Sequence, residues 1–333
     1  MSELPAEAGA ARNAWFGPVW KLLLAFNLDL LLGEPPELWH PVCLMGKAVD
    51  MADWAFPARD GSPEAQRASG LVVALLMPAG TFLTVKVFLR SVPSRWRGVA
   101  EVALLASALA ARSLYNAALD VERALSRDID ESRLAVSGMV GRDTAGLDGI
   151  GVVRATVESV AENANDGVVA PLFYAFIGGA PLALAYKMVN TLDSMIGYRD
   201  IRYRDFGRAA ARLDDAAGFI PARMTAIAAA AASRVAGGST LRTLWTAVSE
   251  GRGSDSPNAG ICEAAFAGAL GIRLGGPDHY RGELVDKPVL GRGFRQPEHD
   301  DIVRAARLMY AAATVFMAAG TMARWLVSRG GRG

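Results

Sequence analysis

Acidic, amide and arginine side chains fall together at five places in this chain of 333 residues. The densest runs from Arg154 to Gly167, where Glu158, Glu162 and Asn165 or Asp166 recur at i, i+4 and i+7 or i+8. On a helix that spacing lines one face. Carboxylates four residues apart repel one another unless a cation lies between them. Hard cations take oxygen ligands, and Mg2+ is commonly held by one or two carboxylates together with substrate phosphates. A solvated acidic face ending in an Asp-Gly turn is the plainer reading of the same string. What favours the cation is that the string abuts a stretch of 20 residues without charge, Gly167–Tyr186.

A second cluster lies at Lys187–Arg199, where Asn190, Asp193 and Ser194 share a face against Met188, Val189, Leu192, Met195 and Ile196. Polar groups set in so apolar a background are expensive unless paired, and within a membrane they mark a pathway, a site or hydrogen bonds between helices. The third spans Tyr203–Arg223. Its Asp214-Asp215 pair suits a divalent ion, and Arg212 and Arg223 suit a phosphate or carboxylate; local ion pairs at a helix end would use the same residues. The fourth lies near the front, with Asp29 inside an apolar run and His40 between Trp39 and Pro41. The fifth, Ser254–Gly260 with Ser256 and Asn258, reads as a polar turn capping a helix that ends in Gly271.

Other chemistries lack their signatures. There is no G-x-x-x-x-G-K-[ST] loop, no G-x-S-x-G elbow, no H-E-x-x-H and no dinucleotide fingerprint. The two cysteines, Cys43 and Cys262, form no C-x-x-C, which argues against a zinc ribbon, an iron–sulfur site or a disulfide framework. With 35 basic and 34 acidic side chains the net charge is +1, so no bulk basic field points to nucleic acid. The residue types left are those that handle a phosphorylated or carboxylated substrate with Mg2+.

The elements that must position these residues are apolar helices. Hydrophobic residues make up 52% and charged residues 21% of the chain, and the mean hydropathy is +0.21. That balance leans toward the bilayer and excludes disorder. Uncharged runs of 18 residues at Ala68–Val85, 20 at Gly167–Tyr186 and 16 at Leu308–Ala323 are the strongest spans. The expected architecture is an all-α, multi-pass membrane bundle forming a single domain. Its spans fall at 15–32, 68–89, 99–119, 167–189, 219–236 and 303–327. Its polar loops, partly helical, fall at 33–67, 120–166, 190–218 and 237–302. Pro171, Gly178-Gly179 and Pro181 make 167–189 a broken or re-entrant element, or a kinked helix. Pro57–Pro63 and the Gly/Pro-rich stretch 275–297 read as linkers. The arginines at 90, 95 and 97, those at 199, 202, 204, 208 and 212, and those at 324, 329 and 332 all read as cytoplasmic.

Taken together and in order, the clusters resemble the CobD/CbiB family of cobalamin biosynthesis proteins, the membrane-bound adenosylcobinamide-phosphate synthases. The matching stretches are Asp29–Met45, Arg154–Tyr174, Gly178–Tyr203, Phe206–Arg223 and Ser256–Gly276, within roughly residues 22 to 325. Ala164 stands where threonine is expected, and Cys262 where an aromatic is usual. The resemblance implies an inner-membrane ligase with its active site facing the cytoplasm. It would join the f-side propionate of adenosylcobyric acid to aminopropanol or its O-phosphate, using ATP and Mg2+. In that reaction Glu158, Glu162, Asp166 and Asp193 are expected to carry the chemistry. Glu162, Asp166, Asp193, Asp214 and Asp215 are expected to hold Mg2+. Asp29, His40, Asn163, Asn190, Ser194, Tyr198, Arg199, Arg212, Arg223, Ser256 and Asn258 are expected to bind substrate. The clusters at 158–166, 190–199 and 212–223 are expected to converge on one cavity, and other late corrin-pathway enzymes are candidate partners.

A transporter or a non-catalytic scaffold for corrinoid enzymes would also place carboxylates among apolar helices. Neither accounts for the ordered string of motifs. The apolar runs predict that the chain stays with the membrane through an alkaline wash; release into the soluble fraction without detergent would reject the membrane reading.

Overall fold

The computed structural model describes residues 19–33, 40–56, 62–197, 202–254 and 256–330. Helices dominate: α1 Val19–Leu32, α2 Pro41–Ala55, α3 Pro63–Ser91, α4 Ser94–Ala106, α5 Ala111–Leu125, α6 Ile129–Ser137, α7 Gly149–Asn163, α8 Ala170–Ile196, α9 Arg208–Ala232, α10 Thr240–Glu250, α11 Ala259–Leu270 and α12 Asp300–Gly330. Two antiparallel strands, β1 Leu274–Tyr280 and β2 Glu283–Leu290, lie between α11 and α12. The chain forms two compact units. One comprises Met1–Ala110, Ala170–Ala217 and Gly320–Gly333, the other Ala111–Val169 and Gly218–Ala319.

Among the described residues, five helical stretches are long and apolar enough to cross a membrane: Pro63–Ser91, Ser94–Leu125, Gly149–Ile196, Arg208–Ala236 and Asp300–Val327. The fold is thus an all-α, multi-pass membrane architecture with one small sheet. In α3 only 17% of the apolar stretch is buried, as expected of a helix that faces lipid. At the N-terminus α1 has 14 described residues, about 21 Å of helix, too short to count among the five. The 99–119 run is not one helix. After Ala106 the amides of Ala108 and Leu109 turn inward to the carbonyls of Leu105 and Ala106, three residues back, and this tightened turn ends α4.

The uncharged segment after Asp166 is a broken helix. Gly178 and Gly179 leave helical geometry, Gly179 at φ 66° and ψ −160°, a conformation essentially reserved for glycine. A straight helix would set Tyr174 and Tyr186 about 18 Å apart along its axis. Their rings stack with centroids 5.0 Å apart, so the chain folds back at this point. The long stretch 149–196 is therefore broken at Gly178-Gly179, the interruption that its glycines and prolines predict.

Two expectations are corrected. The 275–297 stretch is not a linker: β1 and β2 form a hairpin whose turn, Arg281-Gly282, has φ 52° and 82°, the geometry of a type I′ turn. Asp143 accepts from both turn amides, at 3.2 and 2.7 Å. Glycines look like linker residues in sequence, yet here Gly282 supplies one of the two left-handed positions that the tight hairpin requires, and Arg281 the other. The arginine clusters at 90–97 and 199–212 cannot both be cytoplasmic if α3 crosses the bilayer. Gly70 lies directly against the carbonyl of Phe206, and Arg67 pairs with Asp205 at 2.7 Å. That places 202–207 at the N-terminal end of α3, whereas Arg90 closes its C-terminal end, about 30 Å along the helix.

The fold-back predicts that Gly179→Ala costs about 1–3 kcal/mol through forced backbone geometry. Gly80→Ala, in mid-helix with open space at its Cβ, should hold or raise stability. Thermal unfolding of both variants in detergent checks this; equal midpoints would reject the strained turn.

Candidate active site

In the unit formed by Ala111–Val169 and Gly218–Ala319, the Glu158–Asp166 string lies on α7 and on the wider, π-helical turn Ala164–Val169 that succeeds it. Asp148 caps α7 through a 2.7 Å bond from the Gly151 amide. Glu158 is fully buried. Its two oxygens are used by Arg142 at 2.5 Å and by the Gly275 amide at 2.6 Å. Arg142 also donates to Asp278 at 2.7 Å, and Arg154 reaches the other oxygen of Asp278 at 2.5 Å. Burial alone would lower the Arg142 pKa, but the carboxylates of Glu158 and Asp278 overcome it and hold the group above its usual range. Glu158 thus fastens the β-hairpin to α7, a role its spacing from Glu162 does not suggest.

One turn further on, Glu162 is exposed and Asp166 half-buried. Asn163 donates to the Ser159 carbonyl at 3.0 Å. Asn165 is buried, donating to Asp166 at 2.7 Å and accepting from the Thr225 hydroxyl at 3.1 Å. On α9, Arg223 stacks on the Phe219 ring, 3.5 Å from its centroid, and donates to Asn258 at 2.9 Å. Ser256 accepts from the Ala259 amide at 3.3 Å, the predicted turn that starts α11. Glu162, Asp166, Arg223, Ser256 and Asn258 are therefore tied to elements that meet around the first turn of α11.

That turn carries Cys262 and Glu263, outside the five spanning stretches. Burial pushes the Cys262 thiol up, reinforced by Asp166, Glu263 and Glu162 and opposed by Arg223. Burial, then the charges of Glu158 and Glu162, push the Glu263 carboxyl up to about 8 against the pull of Lys287 and Arg142. Excess negative charge at this spot is what a cation would relieve. Among the described residues no three His, Cys, Asp or Glu side chains are gathered closely enough to hold a metal ion. The donors fit Mg2+ only in the manner of an ion that takes its remaining ligands from water and substrate phosphate.

The unit formed by Met1–Ala110, Ala170–Ala217 and Gly320–Gly333 holds the other predicted residues. Asp29 is buried on α1, and His40 accepts from the Val42 amide at 3.2 Å as the cap of α2. Asn190, Asp193 and Ser194 sit near the end of α8, with Ser194 donating to the Thr191 carbonyl at 3.0 Å. Arg212, Asp214 and Asp215 lie on the first turns of α9, Arg212 exposed. Tyr198 and Arg199 lie outside the described residues.

The residues missed from sequence are Arg142, Thr225, Glu263, Asp278 and Lys287. Arg142 and Asp278 are charges in loop-like stretches, and no local spacing marks them; Glu263, within the apolar helix α11, is the legible one.

A model of the family described as CobD/Cbib protein matches residues 22–309. The chain is 42% identical over 311 residues to the cobalamin biosynthesis protein CbiB of Salmonella arizonae, covering 91% of this chain and 97% of that protein. It is 42% identical over 299 residues to the cobalamin biosynthesis protein CobD of Citrobacter koseri, covering 89% and 94%. With CbiB of Salmonella typhimurium it shares 41% over 302 residues, again covering 89% and 94%. No solved structure matches it.

The Glu263 environment predicts a pH dependence. Folding raises this pKa from 4.5 to about 8, so the folded chain holds the proton more tightly than the unfolded one. Its contribution is most favourable at acid pH and is lost as pH rises from about 5 to about 8. Glu263→Gln should flatten that fall in thermal midpoint when measured with a chelator present; an unchanged pH profile would reject the assignment.

Proposed function

This chain belongs to the CobD/CbiB family of cobalamin biosynthesis proteins, and we propose that within that pathway it forms an amide bond. The acid would be the f-side propionate of adenosylcobyric acid and the amine (R)-1-aminopropan-2-ol or its O-phosphate, giving adenosylcobinamide or its phosphate. The observation that carries this reading is the start of α11, where the charges of Glu162 and Asp166 act on Cys262 beside Arg223, itself bonded to Asn258.

A carboxylate and an ammonium do not condense unaided at neutral pH, because the carboxylate is a poor electrophile. ATP with Mg2+ would supply an activated acyl phosphate, from which the amine displaces phosphate. Glu162 and Asp166 would hold the ion in one unit. Asp193, Asp214 and Asp215 are the corresponding acids of the other. Arg223, flattened on Phe219 and steadied by Asn258, presents a planar cation suited to a phosphoryl or propionate group. Arg212 is the exposed counterpart on α9. A carboxylate must also accept the proton that the attacking amine loses. Asn163, Asn190 and Ser194 are hydrogen-bonding groups for the amide-rich rim of a corrinoid. The site would face the cytoplasm across the inner membrane, where ATP is available.

The reading is tested with purified protein in detergent, adenosylcobyric acid, aminopropanol phosphate, ATP and Mg2+, watching for the amide product. No product with either amino alcohol would overturn it. Glu162→Gln, Asp166→Asn and Asp193→Asn should each lower turnover by about 10²–10³-fold, with normal membrane insertion and partial rescue of at least one by raised Mg2+. Asp128→Asn should be silent, since Asn also caps the helix that Asp128 starts; so should Glu131→Gln, at an exposed ion pair. Near-normal turnover in all three core variants would remove the Mg2+ assignment.

A further inference from the structure

A second feature lies apart from this chemistry. Between α3 and α8 is a cavity of about 530 Å³, lined by thirteen side chains of which none is charged. Walls this apolar offer water few hydrogen bonds and favour an apolar occupant. The space is made by small residues, Ala74 and Ala79 on one helix and Ala185 on the other. The stacked rings of Tyr174 and Tyr186 also line it, and the Tyr174 hydroxyl is committed to the Ala217 carbonyl at 2.9 Å. A corrinoid rich in amides would find almost no polar partner here.

The cavity opens toward lipid. Leu75 and Leu83 line it and are also 55% and 57% exposed, on the helix whose apolar stretch is the least buried of the five. Phe82, another lining residue, carries the Lys86 ammonium 5.4 Å from its ring centroid. Lys86 and Arg90 are exposed, one and two turns beyond Phe82 on the same helical face. An apolar slot at membrane depth thus leads to two cations at the helix end, the layout of an acyl chain leading to its phosphate.

We propose that this groove binds one anionic phospholipid from the surrounding bilayer, its acyl chain between α3 and α8 and its phosphate at Lys86 and Arg90. The site rests on neither the amide chemistry nor the acids proposed for it.

The test uses the full chain in phosphatidylcholine vesicles doped with phosphatidylglycerol that carries a photoreactive acyl chain, with the labelled peptides mapped by mass spectrometry. Label is expected on 74–83 and 182–189, competed better by unlabelled phosphatidylglycerol than by phosphatidylcholine. Ala79→Trp, or Ala185→Leu where the larger side chain impairs folding, should remove that label while the outer face of α3 at Leu76 and Val87 keeps its own. Lys86→Gln should abolish the preference for phosphatidylglycerol. Labelling spread evenly over the outer face and unchanged in the filled variants would mean bulk lipid only and overturn the proposal. Displacement of the label by adenosylcobyric acid alone would overturn it in favour of a substrate site. Amidation assayed on the same variants distinguishes failure of the lipid site from failure of the proposed reaction.

Discussion

A guanidinium buried in an apolar chain has to be matched by negative charge, and Arg142 is matched by two carboxylates, Glu158 and Asp278. Arg154 completes the group from its rim, 20% exposed, so that Arg142, Glu158 and Asp278 are the three buried charges. Leaving any one of them unmatched would cost about 3–5 kcal/mol. Through this group the loop bearing Arg142, the middle of α7 and the start of the hairpin become one rigid body. Asp143, next along the chain, clasps the hairpin turn as well. The helix that carries Glu162 and Asp166 is therefore fixed at its buried end before any substrate arrives, and fixed acids are what an electrostatic site needs.

The second constraint is backbone geometry. A regular helix would keep Glu158, Glu162 and Asp166 in one stripe. The wider turn beginning at Ala164 rotates the residues it contains, so that Asn165 goes inward to Thr225 while Asp166 stays at the rim. Such wide turns inside helices recur at functional sites because they re-aim side chains without ending the helix. Farther along, the break at Gly178-Gly179 turns an apolar stretch long enough to span into two arms.

Membrane residence and local chemistry divide the chain between them. The outer face of α3 offers leucine, valine and phenylalanine to its surroundings, whereas the first turn of α11 gathers acids, an arginine and an asparagine. Charge in an apolar setting is retained where it works on something.

By itself the sequence determined the class of fold, because uncharged runs at 68–85 and 308–323 have no stable place except against lipid or a core. It determined the break at 178–179 through Gly-Gly-Ala-Pro, and the start of α11 through Ser256. It also named most of the acids at the candidate site, since their crowding beside apolar helices is visible residue by residue. Only the tertiary structure decided what each acid does. Glu158 and Glu162 are equivalent on a helical wheel, yet one is locked to Arg142, sixteen residues earlier in the chain, and the other is exposed. The hairpin hidden in a glycine-rich stretch, the charge around Glu263 and the opposite ends of α3 taken by two arginine clusters have the same origin. Each depends on a partner distant in sequence, and spacing along a chain carries no record of which distant charge will arrive to meet it.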